Sequence, residues 1–204
     1  MAIRHGASAL GLVSEMPSGP GVISEEDITE IAGNIPPTIA TFLLTSKMTA
    51  AEIIQQQKRC RTNTLQLCDY VSPEVYPVLR EELPGVSLVQ VIHVTGEESV
   101  EKACEVAPFV DAILLDSGNP FLKVKELGGT GRQHDWCLSK EIRERVPVPI
   151  FLAGGLNPHN VREAISQVQP FGLDLCSGVR SHGDLDEIKL SVFMKKAFDS
   201  PTAD

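Results

Sequence analysis

Two glycine-bearing turns, one helix apart, are the residues of this chain best placed to do chemistry. Gly154-Gly155 follows the apolar run 150–153, and Ser177-Gly178 follows the run 172–176, with a helix started by Asn157-Pro158 between them. Glycine lets backbone N–H groups approach a ligand closely, and a helix N-terminus favours an anion. On neighbouring parallel strands, two such turns form a cradle for a phosphate group. Either turn alone reads equally well as a tight strand-to-helix connection, so the pairing is what points to binding. The apolar run 110–116 ends in a carboxylate, Asp116. Gly128-Gly129-Thr130-Gly131-Arg132 lies within the irregular stretch 117–136, and long loops in compact domains are usually functional or disordered.

These residues need a frame of strands and helices to hold them. Mostly apolar runs at residues 9–14, 38–44, 65–68, 87–94, 110–116, 150–153 and 172–176 predict seven strands. Between most of them lie amphipathic segments with start signals. Ser24 and Thr49 each precede an acidic residue three positions on, as capping boxes do, Thr95-Gly96-Glu97-Glu98 is a further start, and Pro36-Pro37 and Pro84-Gly85 are stops. Residues 1–7 read as the last helical turn and glycine stop before a buried strand, residues 186–197 as a final helix, and residues 200–204 as a frayed tail. Residues 15–22, rich in Pro and Gly, form a loop of the kind that sits over a site. The alternation predicts an α/β fold with a parallel sheet covered on both faces, either an open doubly wound sheet or an eight-stranded barrel. No GxGxxG follows the first strand to favour the open sheet, and both architectures put the site at the C-terminal ends of the strands.

Bulk composition narrows the partners. With 204 residues, 42% hydrophobic and 22% charged, the chain suits one globular domain over residues 1–204. A net charge of −9 argues against nucleic acid or an anionic membrane, which reward basic patches, while leaving room for a small anionic ligand. The five cysteines (Cys60, Cys68, Cys104, Cys137 and Cys176) are widely spaced, with no CxxC pair and no His/Cys cluster. They read as reduced thiols with no metal site. No apolar run reaches a membrane span and no signal peptide is visible, so a cytoplasmic setting is expected.

Four motifs in order, LLDS (114–117), GGTG with HDW (128–136), LAGGLNPHNV (152–161) and GLDLCSGV (172–179), resemble phosphoribosylanthranilate isomerase of tryptophan biosynthesis. The resemblance is strong over residues 111–179 and weaker before them. It implies a TIM (β/α)8-type barrel whose second strand is residues 9–14, with the first βα unit not visible in this sequence. It implies an Amadori rearrangement of N-(5'-phosphoribosyl)anthranilate to 1-(2-carboxyphenylamino)-1-deoxyribulose 5-phosphate, with no cofactor. By the same resemblance Asp116 is the general acid that protonates the ribose ring oxygen, which requires a raised pKa. Gly154, Gly155, Ser177 and Gly178 hold the phosphate on their amides, and Gln66 and Arg132 meet the substrate.

Several residues depart from the family pattern. The family's Lys-x-Cys-Gly, whose cysteine is the general base, occurs nowhere in these 204 residues. Gly21 stands about where an arginine should meet the anthranilate, Cys68-Asp69 replaces His-Gly, and Arg180 replaces a glutamate. Arg180 is therefore a candidate for a relocated clamp on the anthranilate carboxylate, set against an ordinary surface arginine. Cys68 is a candidate substitute base, set against a small buried hydrophobe. A silent homologue that binds a phosphorylated sugar, a truncated or mis-started chain whose full-length form is the enzyme, and a different sugar-phosphate barrel enzyme are the alternatives to an active isomerase. A seven-stranded barrel also leaves edges beside its first and last strands, so either a partner chain, as in a homodimer, or a distorted closure is expected there.

Overall fold

The computed structural model describes residues 1–199, and the tail expected to fray (200–204) lies outside the described residues. Seven parallel strands form one sheet in sequence order: β1 (Ala9–Val13), β2 (Ala40–Thr45), β3 (Thr64–Leu67), β4 (Ser87–His93), β5 (Ala112–Asp116), β6 (Ile150–Leu152) and β7 (Gly172–Leu173). Helices α1 (Glu25–Asn34), α2 (Ala50–Cys60), α3 (Val75–Glu82), α4 (Glu98–Val106), α5 (Trp136–Arg145) and α6 (Val161–Val168) fill the successive crossovers. Sequential order without a reversal is barrel winding, because an open doubly wound sheet would switch direction partway.

The apolar runs are continuous because both strand faces are buried. One face packs outward on the helices: Leu43, Leu65, Leu67, Ile113, Leu115, Ile150 and Leu152 share a large core with Ile28, Ile53, Leu79, Ile142, Val161 and Phe193. The other face points into the barrel, where Cys68, Val89, Val91, Ala112, Leu114, Leu127 and Ala153 form a second, smaller cluster against Phe42, Leu44 and Phe151. Phe42 and Phe151 meet edge to face across the interior, ring centroids 6.0 Å apart, and close it below the mouth. Gly172 opposes Phe151 in register, and a Cβ there would fall 2.7 Å from that ring. Alanine at Gly172 would force the ring out of its place.

The capping signals at Ser24 and Thr49 hold, while the N-cap of α4 is Glu97, with no side-chain cap bond from Thr95. Ser24 accepts the Asp27 amide at 3.0 Å, and Thr49 accepts the Glu52 amide at 3.4 Å. Two elements differ from expectation. α6 begins at Val161 rather than Asn157, because Asn157 and Asn160 both turn their side-chain amides onto the Gly155 carbonyl at 3.0 Å and build a turn first. β7 stops at Leu173 rather than Cys176; Asp174 adds one more ladder bond, to Leu152 O at 2.9 Å, before the chain tightens into a 3-10 turn at Ser177–Val179. A two-residue hairpin follows, β8 (Arg180–Ser181) with β9 (Asp184–Leu185), and then α7 (Glu187–Phe198).

Within the sheet β1 and β7 each have one strand neighbour, and Val22 adds an isolated parallel bridge to Val13, whose carbonyl accepts the Ile23 amide at 3.0 Å. The two strands do not join, and their residues are correspondingly more open than those of β3 or β5. The outer layer is continuous there nonetheless. The 3-10 turn Ala2–His5, stopped by Gly6 as the sequence suggested, packs on α7, and His5 Nε2 meets Glu187 at 3.0 Å.

Candidate functional site

Parallel register brings the inward residues at the C-terminal ends of the strands into one row. His93 pairs with Asp116, and one residue past the Leu115–Leu152 and Leu152–Leu173 pairs lie Asp116, Ala153 and Asp174. Above this row is a cavity of about 90 Å³, walled by Gln66, Cys68, Asp116, Asp174, Cys176 and the turns Gly154-Gly155 and Ser177. Ala153 contributes only a methyl group between the two carboxyl-bearing strands.

Two loops interlock over the cavity. Ser18 Oγ donates to Lys125 O at 2.6 Å, a Cβ on Gly19 would lie 3.3 Å from Gly128 O, and one on Gly129 would lie 2.6 Å from Pro20. Gly129 has φ of 67°, so a side chain would be strained there as well as crowded. Ser117 and Thr130 hydroxyls bond at 2.7 Å, and Lys125 pairs with Asp69 just beyond β3. The glycine segment expected to close over a site thus faces the proline- and glycine-rich loop after β1.

The carboxyl of Asp116 is 5% exposed, and burial raises its pKa, opposed by the Ser117 amide and by the charges of His93 and Arg132. Asp174 is pushed up to about 6, first by burial and then by the charge of Asp116. Burial also raises Cys68, 1% exposed, with Asp116 and Asp174 adding to the effect. Its Sγ donates to Gln66 O at 3.6 Å, so it behaves as part of the barrel interior. His134 is lowered to about 4 by burial and is held by Ser139 at 2.6 Å; its Nδ1 faces Gly154, where a Cβ would come within 2.9 Å.

The backbone amides of Gly154 and Gly155 donate to no protein acceptor among the described residues, and Ser177 and Gly178 occupy the first positions of their 3-10 turn, whose amides have no partner within it. Gly178 is packed tightly from behind: a Cβ would lie 1.9 Å from Leu156 O. This fixes the turn against its neighbour.

The remaining expected residues lie at the rim. Arg180 is outside the cavity wall, its Nη1 donating to Gly183 O at 2.6 Å, and its Nη2 would be 3.7 Å from a Cβ on Gly21. The guanidinium thus reaches the position where the resemblance puts an arginine. Arg132 pairs with Glu126 at the surface, while its carbonyl presses on Gly155, 2.7 Å from a Cβ there. His93 donates from Nε2 to Cys68 O at 2.9 Å, and its ring lines an outer groove beside α3 and α4 rather than the cavity. Asp174 and His134 were not singled out individually from sequence, although both lie in the motifs GLDLCSGV and HDW: a carboxylate three residues before Ser177 and a histidine just before the α5 cap.

The model of the N-(5'phosphoribosyl)anthranilate (PRA) isomerase family matches residues 2–196. The N-(5'-phosphoribosyl)anthranilate isomerase of Methanocella arvoryzae is 33% identical, with 91% of this chain and 84% of the relative covered. The solved phosphoribosyl anthranilate isomerase of Thermotoga maritima superposes with a TM-score of 0.80 at 30% identity, covering 97% of this chain and 91% of that one. A phosphoribosyl anthranilate isomerase in complex with reduced 1-(o-carboxyphenylamino)-1-deoxyribulose 5-phosphate gives 0.77 at 28% identity, covering 97% and 90%. With the barrel winding and the glycine turns in the same cavity as Asp116, this places the chain in the N-(5'-phosphoribosyl)anthranilate isomerase family.

Proposed function

We propose that this chain rearranges N-(5'-phosphoribosyl)anthranilate to 1-(2-carboxyphenylamino)-1-deoxyribulose 5-phosphate, the isomerase step of tryptophan biosynthesis. The observation that carries this reading is the set of unpaired amides at Gly154, Gly155, Ser177 and Gly178, gathered on two adjacent turns in the same cavity as a buried Asp116. Such amides bind a phosphate without a counter-cation, in the position after the last two strands that sugar-phosphate barrels commonly use. Asp116, whose protonated form burial favours, gives its proton to the ribose ring oxygen as the C1'–O bond breaks. Gln66, in the cavity wall, meets the sugar hydroxyls.

Arg180 clamps the anthranilate carboxylate, with its guanidinium standing over Gly21. Arg132, on the loop over the cavity, leaves Glu126 to meet the substrate. The chain acts as one domain, residues 1–204, and needs no cofactor. A second copy covers the edges of β1 and β7, and the protein works in the cytoplasm; no helix of the described residues is long and apolar enough to cross a membrane.

The test is turnover of N-(5'-phosphoribosyl)anthranilate, generated in place from anthranilate and followed by its fluorescence. Activity that falls on Asp116→Asn supports the reading. No turnover by the unaltered chain refutes it, and retained binding of the reduced product analogue would then mark a silent homologue.

A further inference from the structure

A second cavity, of about 390 Å³, lies outside the barrel wall between the C-terminal end of β4 and helices α3 and α4. β4 is flanked by β3 and β5, so this cavity does not adjoin the edges of β1 and β7. Its size falls in the range of roughly 300–1,000 Å³ usual for small-molecule sites. The floor is aromatic and apolar. Tyr76 and Phe109 stack with ring centroids 5.4 Å apart and planes 11° apart, beside Val71 and Ile92. The Tyr76 hydroxyl donates to Gln90 Oε1 at 2.8 Å, and the Gln90 amide donates to the carbonyls of Leu67 and Asp69, so these polar groups are already engaged. The rim is aromatic and uncovered: Tyr70 is 66% exposed and Phe121 73%. A flat apolar ligand in the recess would take both rings out of water.

Charge at the rim sets what else the ligand carries. α4 turns Lys102, Glu105 and Val106 to the cavity, the spacing of one helical face. Lys102 Nζ stands 5.1 Å from the centroid of the Phe121 ring. Neither Lys102 nor Glu105 forms an ion pair among the described residues. Glu98, one turn before Lys102 and within reach of its charge, accepts from Thr95 Oγ1 at 2.8 Å. The other two charged side chains of the wall, Asp69 and Lys125, pair with each other. One cation and one carboxylate therefore remain, three residues apart, and together they complement a zwitterion.

We infer that this outer cavity binds a small aromatic amino acid, its ring against Phe121 and the Tyr76–Phe109 stack, its carboxylate on Lys102 and its ammonium on Glu105. The inference does not depend on what the barrel cavity catalyses. Occupancy also bears on the loops over the barrel mouth. Phe121 and Lys125 lie on the segment after β5; Lys125 pairs with Asp69, the neighbour of Cys68 in the barrel cavity, and its carbonyl accepts the Ser18 hydroxyl at 2.6 Å. A ligand that covers Phe121 holds in place the segment that meets the loop after β1.

The test titrates the full chain with phenylalanine and with tryptophan in a calorimeter. At least one is expected to bind one-to-one with Kd below about 1 mM, without displacement by the reduced product analogue. Binding should slow amide exchange across residues 119–126. The acid lacking the ammonium (3-phenylpropionate or indole-3-propionate) and the amine lacking the carboxylate (phenethylamine or tryptamine) should each bind at least about tenfold more weakly. Lys102→Ala and Glu105→Ala, both at exposed positions, should weaken the amino acid by a similar factor, and Lys102→Arg should stay within about threefold of the unaltered chain. No saturable binding of either amino acid up to about 10 mM overturns the inference. So does an acid or amine that binds as tightly as the amino acid, unchanged affinity in either alanine variant, or displacement by the reduced product analogue, which would put the ligand in the barrel. Binding that leaves exchange in 119–126 unchanged overturns the effect on the loop.

Discussion

Replacing Asp174 by asparagine should stabilise this protein, and increasingly so as pH rises. In the unfolded chain the carboxyl titrates near 3.8, while in the fold burial and the charge of Asp116 push it up to about 6. Below 3.8 it is protonated in both states and its contribution to stability is fully present. Between the two values only the unfolded chain ionises, so stability falls with rising pH until the folded group ionises as well. A difference of that size corresponds to about 3 kcal/mol above pH 6, an upper figure because the residue is only partly buried and shares its titration with Asp116. Asparagine keeps the shape and can still accept the Leu175 amide, but never carries the charge. For a chain of this length about 3 kcal/mol raises Tm by roughly 6–12 °C. Calorimetric melts of both proteins at pH 4.5, 6 and 7.5 should show the gap opening across that series. A Tm difference that stays flat, or narrows, from pH 4.5 to 7.5 would refute the reasoning.

Other outcomes follow from the same site. Gly178→Ala should raise KM at least about tenfold and lower stability by about 1–3 kcal/mol, because its methyl would meet Leu156 O at 1.9 Å and push the turn amides from the phosphate; melts and inorganic-phosphate inhibition check both halves. Arg180→Ala should raise KM about tenfold with little change in kcat, as loss of a charged carboxylate contact predicts, and unchanged KM in steady-state assays would discard the clamp. With iodoacetamide, exposed Cys137 should label first and buried Cys68 at least about 100-fold more slowly in the folded protein, which peptide mass mapping reads directly. Lys125→Met should remove the partner of buried Asp69 and loosen the loops over the cavity, costing about 1–3 kcal/mol in a denaturant titration.

Much of the barrel was legible in the sequence because its signals are local. A strand buried on both faces must be an apolar run, so Leu88–Ile92 and Ala112–Leu115 could be read without knowing what covers them. Ser24 and Thr49 announce their helices through side chains that reach only three residues. What escaped depends on partners far along the chain. β7 is short because only β6 pairs with it, and α6 starts late because two asparagines share the Gly155 carbonyl. Asp174 looks like an ordinary polar residue in GLDLC until the register aligns it with Asp116, 58 positions earlier. The turns at Gly154-Gly155 and Ser177-Gly178, proposed to cradle the phosphate, needed no such information, since glycine just past a strand is itself the signal. Arg180 reaching Gly21 joins two departures from the family pattern that sequence could only suggest belonged together.

Among the described residues the outer edge of β7, and that of β1 short of the Val13–Val22 bridge, carry no strand, and this bears on how copies can meet in concentrated solution. Because the sheet is parallel throughout, the edge of β1 in one molecule complements the edge of β7 in another, which is a head-to-tail contact. Such contacts close only if the rotation between copies divides a full circle, and otherwise they grow into filaments. Two features oppose that growth. β7 offers just two residues of ladder, and every copy carries a net charge of −9. Salt that screens this charge therefore removes a barrier to polymerisation, giving the open wall of the barrel a colloidal consequence as well as a structural one.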